Sequence, residues 1–310
     1  MTDGFAPVAE VWRSGCLESI HHGAVVALAV DGSLAWSVGD AGVMVFPRSA
    51  LKPLQAAAML AAGLTLEDRL LAVVCASHDG RPEHVAAVRE ILAGAGLSES
   101  ELDNTPALPL EGEAMRAIVR AGGGPASITQ NCSGKHAGML ATAVRNGWPT
   151  QGYRDPEHPV QRLILDDLRT HAGAVTAIGV DGCGAPAPVL SLVGLARAVR
   201  RLAVAGHQVQ RAMAAHPEMV GGPRRDVTRL MQQVPGLLAK DGAEGVQVAA
   251  LPDGRTVAVK IADGSGRART PVTVAALRDL GVAIDPDQFV EPVLGHGEPV
   301  GRVASLVGRR

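Results

Sequence analysis

Apolar positions alternate at the two ends of this chain and recur at helical spacing through its middle. Val8 to Arg13 alternates as a strand does, Gly23 to Val30 is a continuous apolar run, and Leu34 to Val38 returns after the tight-turn pair Asp31-Gly32. The N-terminus is therefore expected to be a hairpin. A helix is expected to start near Pro47 and to run through Ala56–Ala62 to a stop at Gly63, with Pro53 in its early turns. Thr65 to Asp68 has the spacing of a capping box, with aspartate where glutamate is usual. Further helices are predicted over Pro82–Ala93, Glu113–Arg120, the part of residues 128–147 that follows a polar lead-in, His158–His171, Leu190–Val204, Val209–His216 and Asp226–Gln233.

The period changes again near the C-terminus. Val246–Leu251, the turn Pro252-Asp253-Gly254 and Thr256–Ala262 predict a hairpin, Thr270–Leu280 a helix, and Val303–Val307 a last strand or helix. Strands, a long helical middle and strands again make an α/β (α+β) chain. The two ends are expected to meet in one antiparallel sheet, with the helical region inserted between them and the site in the cleft where they join. A single domain over 1–310 is expected, with a sheet lobe of approximately 1–48 and 245–310 and a helical lobe of approximately 49–244.

Composition narrows the class. With 310 residues, 47% hydrophobic and only 2% aromatic, the chain can bury a large aliphatic core. A net charge of -2 gives no footprint for nucleic acid or an anionic membrane, and the pairs Arg224-Arg225 and Arg309-Arg310 read as solvated. No apolar stretch reaches membrane-spanning length, and the start lacks the pattern of a secretory leader. Cys16, Cys75, Cys132 and Cys183 lie far apart, so a disulfide framework is not indicated and a reducing cytoplasm is expected.

Five places hold candidate chemistry. In FPRSALKPLQ, Ser49 precedes Lys52 by three positions, which on a helix sets both on one face. A serine needs a base to take its proton, and a lysine serves only when its pKa falls well below about 10.4. Apolar neighbours from Val43 to Phe46 and from Ala56 to Leu60 suit that, although a capping serine with a solvated lysine has the same spacing. Ser77-His78-Asp79-Gly80 is a polar turn that could carry a second nucleophile or proton carrier, or simply cap a surface turn. Asn131 to Gly138 packs Cys132, Ser133, Lys135 and His136 at a helix start, where free N–H groups favour a thiolate. Asp181 to Pro186 flanks Cys183 with glycines. Two thiols with a nitrogen or oxygen donor could hold zinc, with His136 and Asp181 beside them. Lys260, among strand apolars in VAVKIADGSG, either faces solvent or reaches the cleft as a base.

Taken together, PRSALKPLQ, ASHDG, NCSGKHAGM, DGCGAP and VKIADGSGRA, with MVGG at 219 to 222 and KDGAEGV at 240 to 246, resemble the Rhizobium etli-type L-asparaginases of the asparaginase II family over almost the full length. The resemblance implies a serine β-lactamase/glutaminase-like fold. It implies two Ser–Lys pairs, Ser49–Lys52 and Ser77–Lys260, a zinc site of Cys132, Lys135 and Cys183, and a pocket lined by Arg48, His136 and Asp181. A lysine that binds zinc must be neutral. The chain departs from the pattern at Asp79-Gly80-Arg81, where a small polar residue, glycine and often glutamate are expected, which changes charge at the pocket rim.

The implied activity is hydrolysis of L-asparagine to L-aspartate and ammonia by a homodimer, with Zn2+ ordering the pocket rather than activating water. Alternatives are a hydrolase of the same fold acting on glutamine or a β-lactam, and a non-catalytic zinc- or metabolite-binding protein. Two intact Ser–Lys pairs count against the last.

Overall fold

The structure, a computed structural model, describes residues 4–308. The pair Arg309-Arg310 lies outside the described residues, as do the first three residues of the N-terminal stretch. The N-terminal strands are β1 (Ala6–Arg13), β2 (Cys16–Leu28), β3 (Leu34–Val38) and the short β4 (Met44–Val45). Helices follow as α1 (Lys52–Ala61), α2 (Asp68–Val74), α3 (Pro82–Gly94), α4 (Gly112–Arg120), α5 (Ser133–Arg145) and α6 (Pro159–Ala172). Strands β5 (Ala177–Val180) and β6 (Pro186–Ser191) precede α7 (Leu192–Val204), α8 (Gln208–Ala215), α9 (Pro217–Val220) and α10 (Asp226–Gln233). The chain ends with β7 (Leu238–Gly242), β8 (Val246–Ala250), β9 (Thr256–Ile261), α11 (Gly266–Asp279), β10 (Glu291–Gly295) and β11 (Glu298–Ser305).

The ends do meet in one antiparallel sheet of order β10-β11-β1-β2-β9-β8-β7, with β3 also paired to β2. Gly23 to Leu28 and all of β8 are buried without alternation, so both faces of the sheet centre are covered. Helices α7 and α11 pack against β8, β9 and β2 to do this. In the helical region α2 is central, touching α3, α5, α8 and α9. None of the described helices is long and apolar enough to cross a membrane.

Several strands depart from the expectation. Strand β6 carries Pro186 and Pro188 and is the middle strand of a small sheet, β4-β6-β5; its prolines hide it in the sequence. Strand β10 pairs with β11. Strand β7 is the edge of the main sheet, so the sheet takes in Leu238–Gly242, which a boundary at 245 leaves among the helices. The capping box at Thr65 is not formed. Helix α2 starts at Asp68 after Glu67 without a side-chain cap, and the Thr65 hydroxyl instead donates to the Gly63 carbonyl at 3.4 Å.

Candidate active site

Pro47 leads into a tight 3-10 turn, Arg48–Leu51, which runs straight into α1 with Pro53 in its first turn, where the missing N–H costs nothing. Arg48 sits at φ 53, a left-handed conformation that a non-glycine residue adopts at a cost. Its guanidinium is tied to the Asp181 carboxylate at 2.7 and 2.8 Å. Burial pushes the Asp181 carboxyl up, but Lys135 and Arg48 overturn this and hold it below its ordinary value. The next residue, Ser49, is half-buried and lines a small pocket with Arg48, Lys52, Gln55, Lys135 and Asp181.

Lys52 begins α1 and is 1% exposed. Its Nζ donates to the Ala76 carbonyl, lies 3.1 Å from Ser77 Oγ and reaches Cys132 Sγ at 3.2 Å. Ser77 follows α2, its backbone N–H bound to the Val220 carbonyl at 3.0 Å. Next to it His78 is fully buried against Ser133 Oγ at 2.9 Å, and burial pushes its pKa well down, so the ring is neutral.

The second lysine on Ser77 is Lys240, not Lys260. Lys240 Nζ lies 3.0 Å from Ser77 Oγ, so this one hydroxyl stands between the side-chain nitrogens of two buried lysines. Lys260 fails for a geometric reason. Lys240 shares a row across the sheet with Val248 and Ala258, whereas Lys260 pairs with Val246, two residues further along β9. The offset is two strands, roughly 10 Å across, and about 7 Å along. Lys260 instead donates to the Glu244 carbonyl in the β7–β8 turn. Sequence reasoning missed Lys240 because LAKDG reads as a turn. The usable signals were the KDGAEGV motif itself and the apolar residues Leu237 to Ala239 ahead of it. Gly242 on the same strand lets β7 cross the serine turn: a Cβ there would stand 2.3 Å from the Pro47 carbonyl oxygen.

Helix α5 begins directly after Cys132, pressed against the end of α2, because Gly134 has no side chain; a Cβ there would stand 2.2 Å from the Val73 carbonyl oxygen. This delivers Cys132 to Lys52, and Lys135 Nζ to Cys183 Sγ at 3.2 Å. Hydrogen bonding to Cys183 pulls the Cys132 thiol well below its ordinary pKa against the effect of burial, with Lys52 and Lys135 assisting. The same bond, with burial, pushes Cys183 up. All four cysteines are free thiols. Among the described residues no three His, Cys, Asp or Glu side chains are placed to hold a metal ion together, so a metal here would depend on Lys135 as its third donor. Two soft sulfurs and a nitrogen fit zinc with one position left open. Burial lowers and Cys183 raises the Lys135 pKa; the net shift is upward, so metal would have to displace its proton.

His136 is buried beside Lys135. The Asp103 N–H donates to the Tyr153 oxygen at 3.0 Å, which leaves the Tyr153 O–H to donate to His136 Nδ1 at 2.9 Å. That fixes the proton of the neutral ring on Nε2, which has no partner. The departure at residues 79 to 81 is neutralised locally. Asp79 is buried between Arg81 at 3.3 Å and His84 at 3.1 Å, and Arg81 also faces Glu111 at 3.8 Å.

Residues 9–305 match the L-asparaginase II family. The chain belongs to that family. Its fold and hydrolase class are those of an asparaginase II member. No curated protein matches the chain. Among solved structures, a β-lactamase from Mycobacterium bovis is 11% identical, with 83% of this chain and 94% of that chain covered at a TM-score of 0.40. A structure from Bacteroides dorei DSM 17855, provisionally described as a β-lactamase, is 13% identical over 83% and 92% at 0.44. The native form of Mglu is 14% identical over 83% and 62% at 0.36.

Proposed function

We propose that this asparaginase II-family chain hydrolyses the side-chain amide of L-asparagine to L-aspartate and ammonia. The observation that carries the reading is that Ser49 and Lys52 line one pocket, with the buried contacts from Lys52 through Ser77 to Lys240 behind them. Ser49 Oγ attacks the amide carbon and Lys52 receives its proton. The tetrahedral intermediate collapses by breaking the C–N bond; Lys52 returns the proton to the leaving nitrogen, and ammonia departs. Water then attacks the Ser49 ester, Lys52 taking the water's proton; the C–O bond to Ser49 breaks, Lys52 returns that proton to Ser49 Oγ, and aspartate leaves with both residues restored. Ser77 and Lys240 hold Lys52 in place and extend the proton path. Ser49 and Lys52 line the same pocket, and catalytic hydrogen bonds in such sites tighten once substrate binds.

Arg48 and Asp181, paired at the pocket wall, offer a cation and an anion for the α-carboxylate and α-ammonium of an amino acid. His136 Nε2–H is a further donor. Zn2+ would be held by Cys132, Lys135 and Cys183, ordering the pocket wall. A homodimer and a cytoplasmic site of action, where the thiols stay reduced, complete the reading.

Ammonia release from L-asparagine, set against L-glutamine, tests the substrate. Ser49→Ala and Lys52→Met should each lower kcat by about 10²–10⁴-fold, the range of a lost proton-transfer partner. Near wild-type turnover in Ser49→Ala would remove Ser49 as nucleophile. For the metal, zinc per chain should fall from stoichiometric to trace in the Cys132→Ala/Cys183→Ala double variant; full loading there would assign zinc elsewhere.

A further inference from the structure

Two lysines meet one hydroxyl, and the hydrogen-bond inventory around Lys240 sets it apart. An ammonium carries three donors and a serine hydroxyl one. Lys240 Nζ has three acceptors: Ser77 Oγ at 3.0 Å, the Asp241 carbonyl at 2.8 Å and Asp241 Oδ1 at 2.5 Å. Each proton has a place, and Ser77 Oγ is left as acceptor from this side. Asp241 cannot swing away. Its other oxygen takes Arg225 at 2.7 Å and faces Arg269 at 3.9 Å. Arg269 is itself fixed by Asp226 at 2.6 Å, and Thr270 donates to the same Asp226 oxygen. A carboxylate this buried is retained at a solvation cost, and nothing in the hydrolysis proposed above uses it.

We propose that Asp241 is a positioning residue of the reaction: clamped by Arg225 and Arg269, it keeps Lys240 as an ammonium aimed at Ser77, so that Ser77 must turn its own proton away from Lys240. This rests on the reading of the Ser–Lys line as catalytic. The charged and titratable groups around the pair come from several elements. They are Lys52 on α1, Cys75 after α2, Arg225 and Asp226 at the start of α10, Arg269 on α11 and Glu291 on β10. Arg48, on the turn that β7 crosses, is already paired with Asp181. Burial pushes Lys240 down to about 8, Asp241 acts upward, and Lys52 and Arg225 act downward. Asp241 thus favours the ammonium against burial, Lys52 and Arg225.

The chain has only four lysines, so 13C-methylene-labelled lysine gives a spectrum in which each can be titrated, and Lys240→Arg assigns its signal by absence. Asp241→Asn should lower the Lys240 midpoint by about one pH unit or more, a tenfold loss of proton affinity. Arg225→Gln, which removes a half-exposed cation, should raise it. Opposite shifts support the proposal. An unmoved Lys240 midpoint in a folded Asp241→Asn overturns it. Should Asp241→Asn fail to fold, a Lys240 side chain found neutral at pH 7 in the wild-type titration overturns it. The titration uses no substrate, so its outcome is separate from failure to release ammonia from asparagine.

Discussion

The ammonium of Lys240 is held down to about 8, first by burial and then by Lys52 and Arg225, against the pull of Asp241. If turnover requires that ammonium, kcat/KM for asparagine falls as pH rises through about 8. The sign for stability is the reverse. The folded value lies below the unfolded one, so the cost of burying this cation is fully present below pH 8 and fades as the pH climbs toward 10.5. Activity should therefore fall between about pH 8 and 9 with no matching drop in melting temperature, measured by scanning calorimetry on the same samples. A parallel fall in both would assign the alkaline limb to unfolding. At this scale the sequence spoke clearly where a motif is local. Ser49 and Lys52, and Cys132 and Lys135, are neighbours in the chain and neighbours in space. Lys240 was hidden because a lysine beside an aspartate in a five-residue strand looks like a solvated turn, while Lys260 sits among valines and isoleucine that look like a core.

Among the elements, the contacts that bring the pieces of the site together are backbone approaches. The end of α2, the start of α5 and strand β7 come close enough that side chains are excluded at Gly134 and Gly242. Gly134→Ala should destabilise the fold by about 1–3 kcal/mol, the cost of overpacking. Gly94→Ala, whose added methyl meets no atom within 4 Å, should be neutral in the same urea titration. Helix positions were readable from period and punctuation; the starts of α3 and α6 fall on prolines where a helix accepts them. Strands β6 and β7 were not readable, since proline and adjacent charges are what strands usually avoid and only tertiary partners rescue them. For β7 the partners are arginines. Burial pushes Asp241 and Asp226 up; Lys240, Arg225 and Arg269 more than reverse it at Asp241, and Arg269 with the Thr270 hydroxyl at Asp226, leaving both carboxyls below the ordinary 3.8. Their stabilisation is present above about pH 4 and is lost as the pH falls. Acid unfolding of Asp226→Asn, followed by circular dichroism, should start at lower stability yet depend less steeply on pH than wild type.

Across the whole molecule, the site depends on the two ends of the chain closing one sheet around a helical insertion. Alternation at both ends made that closure legible. What the pattern could not supply was register: which residue of the returning strands stands opposite Ser77 is fixed by the pairing of β7, β8 and β9 and by the glycine that lets β7 pass the serine turn. One lysine on β7 and one on β9 point to the same sheet face, and only the former is in reach. The turnover of L-asparagine by Lys240→Met and Lys260→Met, measured side by side, tests this most directly. Lys240→Met should lose about 10²–10⁴-fold in kcat, with Lys260→Met within a few-fold of wild type. The opposite order, or an active Lys240→Met, would contradict a catalytic line that ends at Lys240.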